Sequence, residues 1–145
     1  MSFRNMRINM DIVNTSLQHL LVQLQKQMDD ENRSNSPEGI GIMDLGSNVD
    51  CWHCVALEDG VPLGAATVQL GNELYKLYVA PQHRGRHVAE KLVSHVMDFL
   101  KEEGETEISI EMTKNSLPFW GRVVEKHSLE YEPIYGQLKM LIKLK

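Results

Sequence analysis

The chain has 145 residues, 42% of them apolar and 24% charged, with a formal net charge of −5. That length suits one domain, residues 1–145, with material for a real core, and the near-average composition excludes disordered, collagen-like and coiled-coil classes. The acidic balance lacks the basic footprint of a nucleic-acid binder and is compatible with a cationic substrate.

No apolar run approaches the roughly 20 residues of a membrane span. The start, "MSFRNMRINMDIV", has no apolar secretory core or small-residue cleavage site. A soluble, cytoplasmic protein without membrane or nucleic-acid partners is expected.

"MRINMDIV" alternates loosely and predicts a strand. In "NTSLQHLLVQLQKQMDD", Leu17, Leu20, Leu21, Leu24 and Met28 share a helical face, with Asn14, Thr15 or Ser16 as the cap. Residues 32–50 are rich in Gly, Ser and Asn and read as a long loop, a feature often tied to function. "CWHCVALED" and "PLGAATVQL" are strands joined through Asp59-Gly60, and a second turn at Gly71-Asn72 leads into "ELYKLYVA". These three strands form an antiparallel meander.

The C-x-x-C of Cys51 and Cys54 has no second Cys/His pair at zinc-ligand spacing and opens a strand rather than a helix. It reads as two thiols in a strand, with His53 an ordinary strand residue and no metal site.

Helical spacing then governs Val88, Leu92, Val93, Val96, Met97 and Leu100, and Gly104 supplies a stop. "EISIEM" alternates again, so residues 73–80 and 107–112 are expected as parallel strands of a right-handed βαβ unit. "LPFWGRVVEKH" predicts a short helix with Pro118 in its first turn, and "YGQLKMLIKL" a closing strand. The fold class is α/β in the α+β sense: a mixed sheet with a meander followed by a parallel βαβ unit.

The informative junction is "YVAPQHRGRHVAEKLV", residues 78–93, where a strand gives way almost at once to a helix. A helix N-terminus presents free N–H groups and a positive dipole end, which attract anions. Arg84 and Arg86 add forked donors suited to phosphate, and Gly85 lets backbone approach a ligand. The pattern is neither a Walker loop, G-x-x-x-x-G-K-[ST], nor a three-glycine dinucleotide fingerprint.

It resembles the acyl-coenzyme A motif [Q/R]-x-x-G-x-[G/A] of the GNAT N-acetyltransferase superfamily, written here as Arg84-Gly85-Arg86-His87-Val88-Ala89. "ELYKLYVAPQHRGRHVAEKL" is similar to that family's fourth strand, loop and third helix, and the order of elements matches over nearly the whole chain. His87 departs from the glycine of the fourth motif position. Asn115 matches an asparagine that contacts the cofactor arm, and Trp120 stands near the family's usual tyrosine.

The resemblance implies the acyl-CoA N-acyltransferase fold and acetyl-coenzyme A as co-substrate. It also implies direct attack by a primary amine of a small-molecule or peptide acceptor. The cofactor would then touch Leu77, Tyr78 and Val79 as an added strand, together with Arg84, Gly85, Arg86, His87, Val88, Ala89, Asn115 and Trp120.

Glu73 and Tyr75 are the leading catalytic candidates, placed by alternation on one face with Leu77 and Val79. Glu111 or a water chain is the alternative base, and Tyr131 and Tyr135 are alternative acids. Asp44, Asp50, Glu58 and Asp59 are acidic groups suited to attracting a cationic amine. A GNAT-like domain that binds acyl-coenzyme A or a protein partner with little or no turnover is the runner-up. An unrelated α/β binding module is third, and a homodimer is allowed for.

Overall fold

The computed structural model describes residues 10–15, 18–36 and 39–145. Its strands are β1 (Met10–Thr15), β2 (Cys51–Glu58), β3 (Val61–Gln69), β4 (Glu73–Val79), β5 (Glu107–Glu111), β6 (Tyr131–Pro133) and β7 (Lys139–Lys143). The helices are α1 (Gln18–Ser34), α2 (Val88–Glu102) and α3 (Leu117–Lys126). One seven-stranded mixed sheet runs in the order β1-β2-β3-β4-β5-β7-β6, with β4 and β5 parallel and the other neighbours antiparallel. The meander and the βαβ unit are therefore where the sequence puts them, within the mixed α/β class expected. The first strand's expected residues 6–9, and Ser16 and Leu17 at the start of the helix, lie outside the described residues.

Turn chemistry sets the meander. Asp59 and Gly60 both have positive φ, 52° and 79°, the type I′ geometry whose twist matches its flanking strands. In the next hairpin the left-handed pair is Leu70 and Gly71, at φ 54° and 85°, one residue earlier than Gly71-Asn72. Asn72 is needed elsewhere: its side chain donates to Glu107 O at 3.1 Å and its carbonyl accepts from Ser109 N–H at 3.0 Å.

Helix α2 stops at a Schellman motif, with Glu105 N–H on Leu100 O and Gly104 N–H on Lys101 O. Helix α1 runs to Ser34, further than the loop-like composition of residues 32–50 suggests. Asn32 explains the extra turn, because its side chain accepts from Ile40 N–H and donates to Ile42 O, both at 2.8 Å. Gln25 adds bonds to Met43 O and Leu45 N–H. Asn32, which has the composition of a loop former, is with Gln25 a clasp that holds the loop onto α1.

Two apolar layers enclose the sheet. Leu21, Leu24 and Met28 of α1 pack on one face against Val55, Ala65 and Tyr78. Val88, Leu92, Val93, Val96 and Leu100 of α2, with Trp120, Val123 and Val124 of α3, cover the other face over Cys54, Ala66, Leu74, Ile108 and Ile110. Burying each large aliphatic side chain contributes about 1.5–3 kcal/mol, so the amphipathic stripes fix all three helices.

Both cysteines are free thiols: Cys51 is exposed, while burial pushes Cys54 up to about 12. His53 is more than an ordinary strand residue. Its ring nitrogen Nδ1 meets Thr67 Oγ1 at 2.8 Å, and that hydroxyl donates to Leu45 O, bracing the loop from inside. Among the described residues no group of three or more His, Cys, Asp or Glu could hold a metal ion, and no helix is long and apolar enough to cross a membrane.

Candidate active site

The site begins with a fault in strand pairing. Between β3 and β4 the register passes from Thr67↔Lys76 to Val68↔Leu74, so Tyr75 is an extra residue, a β-bulge. On its other edge β4 pairs with β5 only at Glu73↔Ser109 and Leu74↔Ile110. Beyond the bulge the two strands separate, leaving one edge of β4 open from Leu77 to Val79.

Backbone direction alternates along a strand. Ala80 N–H bonds Leu63 O on the β3 side at 2.9 Å, so the peptide groups of Leu77 and Val79 face the opening. Those of Tyr78 turn back to β3. Gly64, opposite Val79, lets the two strands approach closely: a Cβ there would lie 2.6 Å from Tyr78 O and 3.1 Å from Val79 Cα.

The bulge also breaks the expected two-faced pattern. Leu74, Leu77 and Val79 lie with the α2 core, whereas Tyr78 lies with the α1 core. Glu73 therefore does not share a cleft-facing row with Leu77. It is 8% exposed, accepts from Gln69 Nε2 and from Lys139 Nζ (3.2 Å), and lines neither cavity described below. This placement sets Glu73 apart from the cavities and favours a carboxylate that lines one of them as the base. Glu73 in turn holds the Lys139 ammonium above its usual range.

The junction after β4 opens onto a cavity of about 680 Å³. Its walls include Leu77, Tyr78, Val79, Arg84, Gly85, His87, Val88, Ala89 and, on the α3 side, Asn115. Val88 begins α2 and the first intrahelical bond of this turn is Lys91 N–H to His87 O at 3.0 Å. The N–H groups of Val88, Ala89 and Glu90 are therefore available to an anion.

The left-handed residues here are Gly85, at φ 82°, and His87, at φ 64°. Written from Gln82, the motif reads Gln82-x-x-Gly85-x-His87 and puts Gly85 in the glycine position. Backbone geometry favours this register over one beginning at Arg84. His87 occupies the small-residue position instead, where a left-handed non-glycine residue costs about 1–2 kcal/mol. Its imidazole turns outward and meets Glu90 at 3.2 Å.

The two arginines are less free than sequence implied. Arg84 lines the cavity, but it donates to Val79 O at 2.9 Å and grips Glu31 with two donors at 2.6 and 2.8 Å. Tyr78 donates to the same carboxylate at 2.9 Å, and burial raises its phenol pKa. Arg86 faces away from the cavity to Glu58, at 2.7 Å, and His83. Glu58 and Asp44, considered as acceptor-attracting groups, are instead partners of Arg86 and Lys76.

A second cavity of about 300 Å³ shares Ile42, Leu77, Thr113 and Ser116 with the first. Tyr75, Lys76, Glu111 and Trp120 line it as well. Trp120 is 3% exposed and belongs to the core, so it stands on the second cavity rather than over the first. Tyr131 and Tyr135 are exposed and line neither. The helix face that sequence reasoning missed is Phe119, Arg122, Val123 and Lys126, which walls the larger cavity at the i, i+3, i+4, i+7 spacing. That spacing was legible; which face met the cleft was not.

A protein-family model described as the acetyltransferase (GNAT) family matches residues 18–122. Solved structures share the fold at low identity. The PaiA N-acetyltransferase from Thermoplasma acidophilum, in complex with coenzyme A, is 16% identical, with a TM-score of 0.64 over 95% of this chain and 99% of that one. An N-acetyltransferase from Staphylococcus aureus Mu50 is 15% identical, with a TM-score of 0.64 over 94% and 99%. The aminoglycoside N-acetyltransferase AAC(6')-Iy, in complex with CoA, is 21% identical, with a TM-score of 0.56 over 83% and 87%. Among curated protein sequences none matches. A family model that spans most of the chain makes this protein a member of the GNAT acetyltransferase family.

Proposed function

We propose that the protein is an N-acetyltransferase that moves an acetyl group from acetyl-coenzyme A to a primary amine. The observation that carries this is the open edge of β4 at Leu77–Val79, continuous with the cavity that receives the α2 N-terminus. The pantetheine arm runs along that edge and bonds the outward peptide groups of Leu77 and Val79. The pyrophosphate sits on the turn from Gly85 to Ala89, and Asn115 contacts the arm from the opposite wall. Two of the related folds were solved with coenzyme A, which supports the same co-substrate here.

The second cavity meets the first at Leu77 and is the acceptor's place. Its amine attacks the thioester carbon directly, the C–S bond breaks, and the sulfur leaves as thiolate. The Leu77 N–H polarises the acetyl oxygen as charge develops on it. Glu111, the carboxylate lining this cavity, takes a proton from the acceptor's ammonium directly or through water and so frees the lone pair that attacks, with Tyr75 lining the same cavity. The departing thiolate takes up, through water, the proton that the nitrogen sheds as the amide forms.

Thiol release from acetyl-coenzyme A against a panel of amines tests the reading. Turnover with at least one amine, lowered kcat in Glu111→Gln and an unchanged pH–rate profile in Glu73→Gln are expected. Cofactor binding with no thiol release against any amine would support a binding domain instead.

A further inference from the structure

We propose that Arg122 and Lys126 of α3 hold a phosphate of the cofactor's nucleotide end, a role the sequence motif assigns to Arg84 and Arg86. The inference rests on the acetyl-coenzyme A reading and deepens it.

The two motif arginines are already committed. Arg84 has its fork closed on Glu31, and Arg86 points away from the cavity to Glu58. Arg84's charge is offset by a carboxylate on the same wall, so it adds little net positive potential.

Across the cavity Arg122 is in the reverse situation. Arg122 lines it, is exposed, and has no hydrogen bond or ion pair among the described residues. One helical turn further, Lys126 lines the same wall and is tied to Glu90 at 2.8 Å. Glu90 lies in the first turn of α2, so this bond stations the ammonium beside the helix N-terminus. The same carboxylate meets His127 at 2.8 Å and His87 at 3.2 Å. Glu90 therefore gathers nitrogen groups at the cavity mouth, while Arg122 contributes an uncompensated charge.

Coenzyme A carries a pyrophosphate and a 3′-phosphate. An α2 N-terminus facing a guanidinium fork and an ammonium across one cavity gives such an anion donors from two sides. Glu90 acts as a positioning residue for Lys126.

Calorimetric titration of coenzyme A tests this with Arg122→Ala, and with Lys126→Ala made in a Glu90→Gln background and compared with Glu90→Gln alone. Each change is expected to weaken binding roughly tenfold and to reduce its salt dependence, as loss of a charge-assisted phosphate contact should. Lys126→Arg should keep most of the affinity. Both side chains are exposed, so melting temperatures without ligand should stay near wild type.

Repeating the titration with dephospho-coenzyme A identifies the phosphate. A wild-type to variant ratio that collapses toward one assigns the 3′-phosphate, and a ratio that persists assigns the pyrophosphate. Unchanged coenzyme A affinity in both variants, with the wild type binding, would overturn the proposal. A wild type that does not bind coenzyme A at all would instead remove the reading beneath it.

Discussion

The two ends of β4 are built for opposite purposes. At Glu73 and Leu74 the strand is paired on both edges, and Asn72 ties it again to Glu107 and Ser109. A Gln69–Glu73–Lys139 chain, buried at Gln69 and Glu73 and half-buried at Lys139, extends that closure to β7. Beyond the bulge at Tyr75 the strand keeps β3 and gives up β5, and Leu77 and Val79 present backbone groups to a cavity. Identical chemistry, an extended strand, is structural where its hydrogen bonds are satisfied and receptive where one set is withheld.

The largest expected effect tests the open end. Gly64→Ala drives a methyl into Tyr78 O, which is backbone and cannot swing aside, so unfolding in denaturant should show a loss of about 2–3 kcal/mol. Cofactor affinity should fall with it. Gly121→Ala, in α3 with nothing within 4 Å of the new carbon, should instead gain about 0.5–1 kcal/mol.

At the closed end, Lys139→Ala removes the charge partner of the Glu73 carboxylate, leaving Gln69 as its donor, and should cost about 2 kcal/mol. Adding Glu73→Gln should restore most of it, since a neutral amide no longer needs the ammonium. Restored stability with lost turnover would return Glu73 to the catalytic residues.

Removing the Arg84 side chain leaves Glu31, 13% exposed, with Tyr78 as its remaining partner. The expected loss is about 1–2 kcal/mol by denaturant melt, larger than for Arg86→Ala, whose partner carboxylate Glu58 is more open to water than Glu31.

The smallest effect is a pH dependence at the cavity mouth. Hydrogen bonds from Lys126 and then His127 hold the Glu90 carboxyl at about 2, against an ordinary 4.5. A depressed carboxyl favours the folded chain above pH 4.5, and that advantage fades as the pH falls toward about 2. Glu90→Gln should make the acid decline of stability shallower across that window.

Much of this architecture is written in local pattern. Asp59-Gly60 dictates a type I′ hairpin, the stripe from Val88 to Leu100 dictates a helix, and the alternation in "EISIEM" dictates a strand, because each depends on neighbours a few residues away. The bulge at Tyr75 does not announce itself. It arises from how β3 meets β4, and it moved Glu73 out of the row that alternation assigned to it. Arg84 and Arg86 show the same limit: their charge is visible in sequence, but their partners Glu31 and Glu58 lie 53 and 28 residues away. Arg122 was overlooked because a lone arginine in an amphipathic helix looks like surface until the helix is docked.

The most direct measurement is amide hydrogen exchange with and without acetyl-coenzyme A. The N–H groups of Leu77 and Val79 should exchange readily in the free protein and slow sharply with the cofactor, along with those of Val88 to Glu90. Leu74, already inside the β4–β5 ladder, should change little. Unaltered exchange at Leu77 and Val79 under saturating acetyl-coenzyme A would contradict the open β4 edge as the cofactor's seat.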